Sequence, residues 1–430
     1  MYSEWLEAVA SGHSAIEPSA TQPLSHSTIQ SLQASLFTTR FFVMTAYSFT
    51  VFVSLFQLLP TAPYRILDIG GTTAAAGLFL GLLTYSSALS APFTGAIGDR
   101  IGQRRVLIIV SLVLAVFTLS YAVIGNPTVM LAVVVVHGLF WSALLSASGA
   151  YMTATIPASR RGEGLGYWGL ASVFAIATAP PIGFWVYRHG WTTLCIELAA
   201  LNLLMALIAW RLPPDDARGT SHDAPRTPHV ARRTALVEWR VLILSIAIAL
   251  VSFGYGSLTS FSALFADALQ VTPPSLFLTA MAASILVGRL TLGRSLDRLG
   301  HRRVLLPSLV APSIGLALLA LAQGQTSFLG AALIFGAGFG LMYPAFTAYV
   351  MAHVSPTRRG AAFGAMLAAF DTGIGTGSSM LGWLIQHQGF RVAFGVAAGV
   401  AMLSLPVFLF AEKRLGFTIA PAGPTAPASE

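Results

Sequence analysis

Charge is what this 430-residue sequence has least of. Only 9% of its residues are Asp, Glu, Lys or Arg, against about 25% in ordinary soluble domains. That deficit excludes a surface built for water on all sides. Cysteine is nearly absent too: Cys195 is the single one and lies in an apolar run. A disulfide framework and a cysteine metal cluster are therefore excluded, and no metal site or cofactor is expected. Lysine occurs once, as Lys413. Residues 1–35 hold no Lys, no Arg and no apolar core, so no cleavable signal peptide is expected. Period-two alternation is missing from the apolar runs, which reads as helix rather than strand.

What is present is apolar. Hydrophobic residues make up 55% of the chain, with 27 Phe and 40 Gly and a mean hydropathy of +0.74. Apolar runs of about 20 residues recur, the length of a membrane span. Only helices or closed barrels satisfy the backbone in lipid. The chain reads as an all-α polytopic membrane protein with a lipid bilayer around it. Its net charge of +8 and pI near 10 do not indicate a nucleic-acid partner. The basic residues sit in short loops between apolar runs, the positive-inside pattern.

Twelve apolar segments are expected: 38–60, 73–96, 105–125, 128–154, 165–187, 192–211, 240–264, 274–294, 303–323, 327–352, 361–386 and 391–411. The interior stretch 212–239, with Pro213-Pro214-Asp215-Asp216 and Arg232-Arg233, is long and polar. It reads as a linker between six-helix units at 38–211 and 240–411. Polar tails are expected at 1–37 and 412–430. With the amino terminus inside, 19 of the 24 Lys and Arg fall in inner loops and tails, and only Arg65, Arg188 and Arg391 fall outside. Both termini are then cytoplasmic.

One charged island interrupts the apolar runs and occurs twice. Gly95-Ala96-Ile97-Gly98-Asp99-Arg100-Ile101-Gly102-Gln103-Arg104-Arg105 shares its order of Gly, Asp-Arg, Gly and Arg-Arg with Gly293-Arg294-Ser295-Leu296-Asp297-Arg298-Leu299-Gly300-His301-Arg302-Arg303, 198 residues later. Arg160-Arg161-Gly162 and Arg358-Arg359-Gly360 match at the same displacement. Landmarks in register argue for two homologous six-helix bundles, a common transporter plan with the substrate site between the halves.

These paired loops resemble the signature of the major facilitator superfamily, Gly-x-x-x-Asp-Arg-x-Gly-Arg-Arg/Lys, found between helices two and three and again between eight and nine. Gln103 and His301 replace the first basic residue after the second Gly. The resemblance covers roughly residues 38–411. It implies alternating access and a gating role for the loops at Gly95, Asp99, Arg100, Gly102, Arg104 and Arg105, and at Gly293, Asp297, Arg298, Gly300, Arg302 and Arg303. Physically, Gly95 admits close helix approach. Asp99 can pair with Arg104 or Arg105, or face a neighbouring helix dipole, latching the inner side. The same loops also serve as topology determinants. Pro60-Thr61-Ala62-Pro63 and Ala179-Pro180-Pro181-Ile182-Gly183-Phe184 are similar to efflux motifs, although Ala179 and Phe184 replace glycines. Val134 stands where proton-coupled drug exporters carry an Arg in segment four.

Ionisable residues inside spans are functional candidates, because a charge at that depth is costly unless paired or hydrated. Asp371 leads. Apolar surroundings disfavour the charged form of a carboxylate, which suits proton loading and release; a salt bridge or helix–helix hydrogen bond is the alternative. Arg289 can hold an anionic substrate group, pair with Asp371 or snorkel to the inner surface. His137 is a proton carrier or a hydrogen-bonded core residue. Glu197 favours a structural hydrogen bond. Arg40 reaches toward substrate or anchors at the interface. If segments one, four, seven and ten line the cavity, as the resemblance implies, its aromatic candidates are Tyr47, Phe140, Trp141, Phe253, Tyr255, Phe339 and Tyr343, with helix packing as the alternative for each.

Gly336-Ala337-Gly338-Phe339-Gly340 and Gly373-Ile374-Gly375-Thr376-Gly377 lack the strand and the Lys-Ser/Thr of a phosphate loop. No catalytic triad or metalloprotease spacing occurs within the helices. The reading is therefore not an enzyme but a secondary transporter of a small organic molecule. Proton-coupled efflux is expected, with uptake of a sugar or carboxylate, or a non-transporting sensor, as alternatives. A monomer in a bacterial inner membrane is expected.

Overall fold

The computed structural model describes residues 35–157, 160–213, 238–355 and 358–416. Most of the amino-terminal tail, the linker stretch 214–237 and the tail beyond 416 lie outside the described residues. Among the described residues there are twelve helices: α1 Thr39–Asp68, α2 Thr73–Ile101, α3 Gln103–Val123, α4 Pro127–Thr155, α5 Arg161–Tyr187, α6 Trp191–Arg211, α7 Trp239–Ala268, α8 Leu276–Leu299, α9 His301–Ala320, α10 Gln325–His353, α11 Arg359–Met402 and α12 Ser404–Leu415.

Local signals explain many of the boundaries. Thr38, Thr72 and Asn126 cap α1, α2 and α4, each side chain accepting a backbone N–H in the first turn. Pro127 follows its cap at the first helical position. Gly102 and Gly300, the second glycines of the repeated loop, have φ of +92° and +83°. A Cβ there would be strained, so glycine turns α2 into α3 and α8 into α9 without an intervening loop.

Two boundaries differ from expectation. α1 does not stop at Pro60 but runs on to Asp68, carrying Pro60 and Pro63 inside it. Thr61 returns its hydroxyl to the Gln57 carbonyl at 2.7 Å and the Leu58 carbonyl at 3.1 Å. Pro60 and Pro63 leave the Phe56 and Leu59 carbonyls without helical donors, and the Thr61 bonds brace the turn between them. The last two passes are joined in one 44-residue helix, α11, which breaks at Gly389 with φ +81°. Apolar helix covers 361–415, more than twice what one bilayer crossing needs. Arg391 donates to the Ala322 carbonyl just past the far end of α9. The chain therefore reaches the outer side at Gly389, and 390–402 with α12 form the return pass.

Nine further stretches are individually long and apolar enough to cross a membrane, and Leu276–Thr291 of α8 is a shorter apolar helix. Exposed residues along them are large and apolar, Val116, Trp210 and Phe410 among them. They suit contact with acyl chains rather than water.

By sequence the helices fall into two sets, α1–α6 first and α7–α12 second. Within the first, α2 packs on α4, α3 on α6 and α1 on α5; within the second, α7 packs on α11, α9 on α10 and α8 on α10. The groups meet chiefly through α2 with α11, α5 with α8 and α1 with α7.

Candidate functional site

Glycine sets how closely the central helices approach. A Cβ on Gly377 of α11 would fall on the Phe253 carbonyl of α7, and one on Gly256 of α7 would fall on the Ile374 carbonyl. Ser260 and Ser378 share a hydrogen bond of 2.7 Å across the same seam. Ser378 also donates to the Gly77 carbonyl of α2 at 2.8 Å, tying the two groups of helices together.

The hydrogen bonds between the two groups, among the described residues, lie toward the ends away from the Arg-rich loops. Tyr64 donates to Asp267 at 2.6 Å. Gln386 accepts from the Ala74 amide at 3.1 Å, and Tyr85 bonds Thr376 at 2.7 Å. Inward of Thr376 the face of α11 opens: Asp371 and Leu367 are half-buried and Phe363 is exposed. The outer side is closed, and the candidate site lies on the inner side of that seal.

Aromatic rings gather there. Tyr255 stacks on Phe339 at 4.4 Å and 14°. Phe339 meets Phe370 at 6.0 Å, and Phe370 meets Tyr343 edge-on at 5.1 Å. Phe339, Tyr343 and Thr347 form a half-exposed stripe on α10, distinct from the exposed apolar Leu333 and Ile334. Asp371 follows Phe370 and lies within electrostatic reach of Tyr343. Among the described residues its carboxylate has neither hydrogen bond nor ion pair. Arg289 is held instead by its own neighbour: its Nε donates to the Gly340 carbonyl of α10 at 3.2 Å. No ion pair joins Arg289 to Asp371.

Other candidates lie elsewhere. Tyr47 is fully buried and shares a 3.0 Å bond with Ser111 of α3, so it faces the interior of its own half. Phe140 packs edge-on against Phe117 and lines an outward groove, again away from the centre. Phe253 is 6% exposed on the α7–α11 seam. Trp141 sits edge-on to Phe52 at 6.0 Å. His137 is 3% exposed, bonded to the Tyr121 hydroxyl at 3.1 Å and stacked against Phe117. Glu197 accepts from Gln57 at 3.1 Å. Arg40 is exposed in the first turn of α1, beside an inner pocket lined by Thr38, Tyr151 and Pro213.

At the first repeated loop, Asp99 accepts from Gln103 at 3.1 Å rather than pairing with an arginine. Arg104 donates to the Trp210 carbonyl at the end of α6 at 2.6 Å. Gly95 is not a close-approach site, since a Cβ there meets nothing within 4 Å. The side chains of 292–299, with Asp297 and Arg298, lie outside the described residues. Arg302 forms a bidentate pair with Glu412 of α12 at 2.8 and 3.0 Å. Tyr349 donates to the same carboxylate at 2.7 Å.

Sequence reasoning passed over Tyr151 and Tyr349, although they too are 198 residues apart. Tyr151 donates to the Pro213 carbonyl just past α6, as Tyr349 does to Glu412 of α12. The displacement was the available signal. Glu412 has no counterpart among the described residues of the first half, where Arg104 and Tyr151 donate to the Trp210 and Pro213 carbonyls.

Packed apolar helices long enough to cross a bilayer, tied together by hydrogen bonds between α1, α2, α7 and α11, make an integral membrane protein and fit a secondary transporter of a small molecule. The Major Facilitator Superfamily profile matches residues 36–354 and again 244–426, and the chain belongs to that family. It is 23% identical over 402 residues to the "Uncharacterized MFS-type transporter YhhS" of Escherichia coli (strain K12), covering 91% of this chain and 96% of that one. It is 28% identical over 361 residues to an "Uncharacterized MFS-type transporter" of Pseudomonas aeruginosa (strain LESB58), covering 81% and 87%. The crystal structure of the nucleoside transporter NupG superposes with a TM-score of 0.71 at 17% identity, over 87% of this chain and 100% of that one. The human organic anion transporter MFSD10 gives 0.61 at 17% identity, over 86% and 98%. Both share its fold.

Proposed function

We propose that the protein is a proton-coupled exporter of a small organic molecule in a bacterial inner membrane, working as a monomer. Its halves, 38–211 and 240–411, rock about the α2–α11, α5–α8 and α1–α7 contacts. Asp371 carries the coupling proton. The observation behind this reading is its half-buried carboxylate without a partner, set beside Tyr343 and Phe370 on the inner side of the seal. A charge at that depth with no counter-ion favours uptake of a proton, and hydration on opening favours its release.

The aromatic group around Phe339 supplies flat apolar walls for an amphipathic cargo. The Asp99 and Asp297 loops act as inner gates, released and reset as the halves move. Cys195, His137 and Glu197 take no part in coupling. Arg289, with no carboxylate partner among the described residues, is the observation that favours the second reading, uptake of a small carboxylate with a proton.

Vesicles of both orientations separate the two readings. Export predicts proton-driven accumulation in inverted vesicles, and uptake predicts it in right-side-out vesicles. Equal accumulation without a proton gradient in either would end the coupling proposal.

A further inference from the structure

The outward side of the first half carries a groove that transport leaves unused. It runs between the inner ends of α2 and α3 and the middle of α4, lined by Ile97, Ile101, Val106, Ile109, Leu139 and Phe140. Val106 is buried in its floor, while Ile97 and Ile109 are each 50% exposed along its walls. Its one polar lining side chain, Thr94, is turned onto Ser142 at 3.1 Å and the Ala91 carbonyl at 3.2 Å. From Thr94 to Ile101 the groove is about 10 Å long at the helical rise. It offers apolar contact and nothing else.

Arginines adjoin its innermost lining residues in the chain. Ile101 adjoins Arg100, and Val106 adjoins Arg105. Both arginines are exposed, and neither has a hydrogen bond or ion pair among the described residues. Arg104 between them is engaged with Trp210. Two exposed arginines thus flank, in the chain, the residues that line the inner end of an apolar groove.

We propose that this groove binds one anionic phospholipid, its acyl chain along Ile97, Ile109 and Leu139 and its phosphate between Arg100 and Arg105. Guanidinium forks match phosphate oxygens, and basic pockets between helices on the cytoplasmic side recognise anionic headgroups. An extended peptide segment does not fit, because the groove has no polar partner for its backbone. The sequence of the second half does not repeat the apolar lining. Ser295, Ser308, Ala337 and Gly338 stand 198 residues after Ile97, Val110, Leu139 and Phe140. The site is therefore single, and it places a lipid headgroup on the loop that carries Asp99.

Native mass spectrometry of the purified full chain tests this, with phosphatidylglycerol and phosphatidylethanolamine as probes. One phosphatidylglycerol should be retained over phosphatidylethanolamine by about 10-fold, and Arg100→Gln with Arg105→Gln should weaken that retention about 20-fold. Arg298→Gln with Arg303→Gln, the same charge change in the second half, should leave it in place. Ala143→Phe, which fills the groove without touching charge, should also weaken it, and it serves if the double arginine variant does not fold. Equal retention of the two lipids, equal loss from both arginine pairs, or retention unchanged by Ala143→Phe would overturn the proposal.

Discussion

Arg302 grips Glu412 with two hydrogen bonds of 2.8 and 3.0 Å, binding the start of α9 to the end of α12. Glu412 is 3% exposed, while the arginine is 43% exposed. A carboxylate this enclosed depends on its donors, Arg302 and Tyr349. Arg302→Gln is expected to cost about 2 kcal/mol, the range for a hydrogen bond to a charged group. Arg303→Gln, at an exposed neighbour, should cost much less. Thermal unfolding in detergent reads the difference, and equal losses would remove Glu412 from the account of stability.

The α7–α11 seam tolerates no side chain at Gly377, because a Cβ would fall on the Phe253 carbonyl. Gly377→Ala is expected to destabilise the protein by about 3 kcal/mol through forced separation of the helices. Gly395→Ala on the same helix meets nothing within 4 Å. It should be neutral or stabilising by up to about 1 kcal/mol from helix propensity. Melting temperatures of the two variants make the comparison.

His137 is held by packing. It is bonded to Tyr121 and lies between the Phe117 and Tyr121 rings. His137→Gln should lower stability by about 2 kcal/mol while leaving the pH profile of transport unmoved. A shifted profile in a fully folded variant would instead make His137 a proton carrier.

Much of the architecture was legible because membrane helices announce themselves by length and hydropathy, and because charge is rare enough here for its repeats to stand out. Gly102 and Gly300 were visible in the motif, and their positive φ gives the physical reason for them. The helix faces were harder to read. Tyr47 and Phe140 lie on helices of the expected set but point into packing or outward, and continuous hydrophobicity hides that phase. Pro60 and Pro63 suggested an end to α1, yet Thr61 and surrounding helices keep the turn intact. Arg289 and Asp371 invited pairing by charge, while the fold gives Arg289 a carbonyl on α10. Partners of that kind, like the Trp210 carbonyl under Arg104, are backbone atoms and leave no mark in a sequence.

The central claim is that Asp371 carries the proton that drives export. Inverted membrane vesicles, acidified inside and supplied with a small-molecule extract of the cytosol, test it most directly, with contents read by mass spectrometry. At least one organic species should accumulate with the wild-type protein, disappear when the gradient is dissipated, and fail to accumulate with Asp371→Asn, although that variant still exchanges the species across the membrane without a gradient. Accumulation by Asp371→Asn equal to wild type, under the same gradient, would contradict the account.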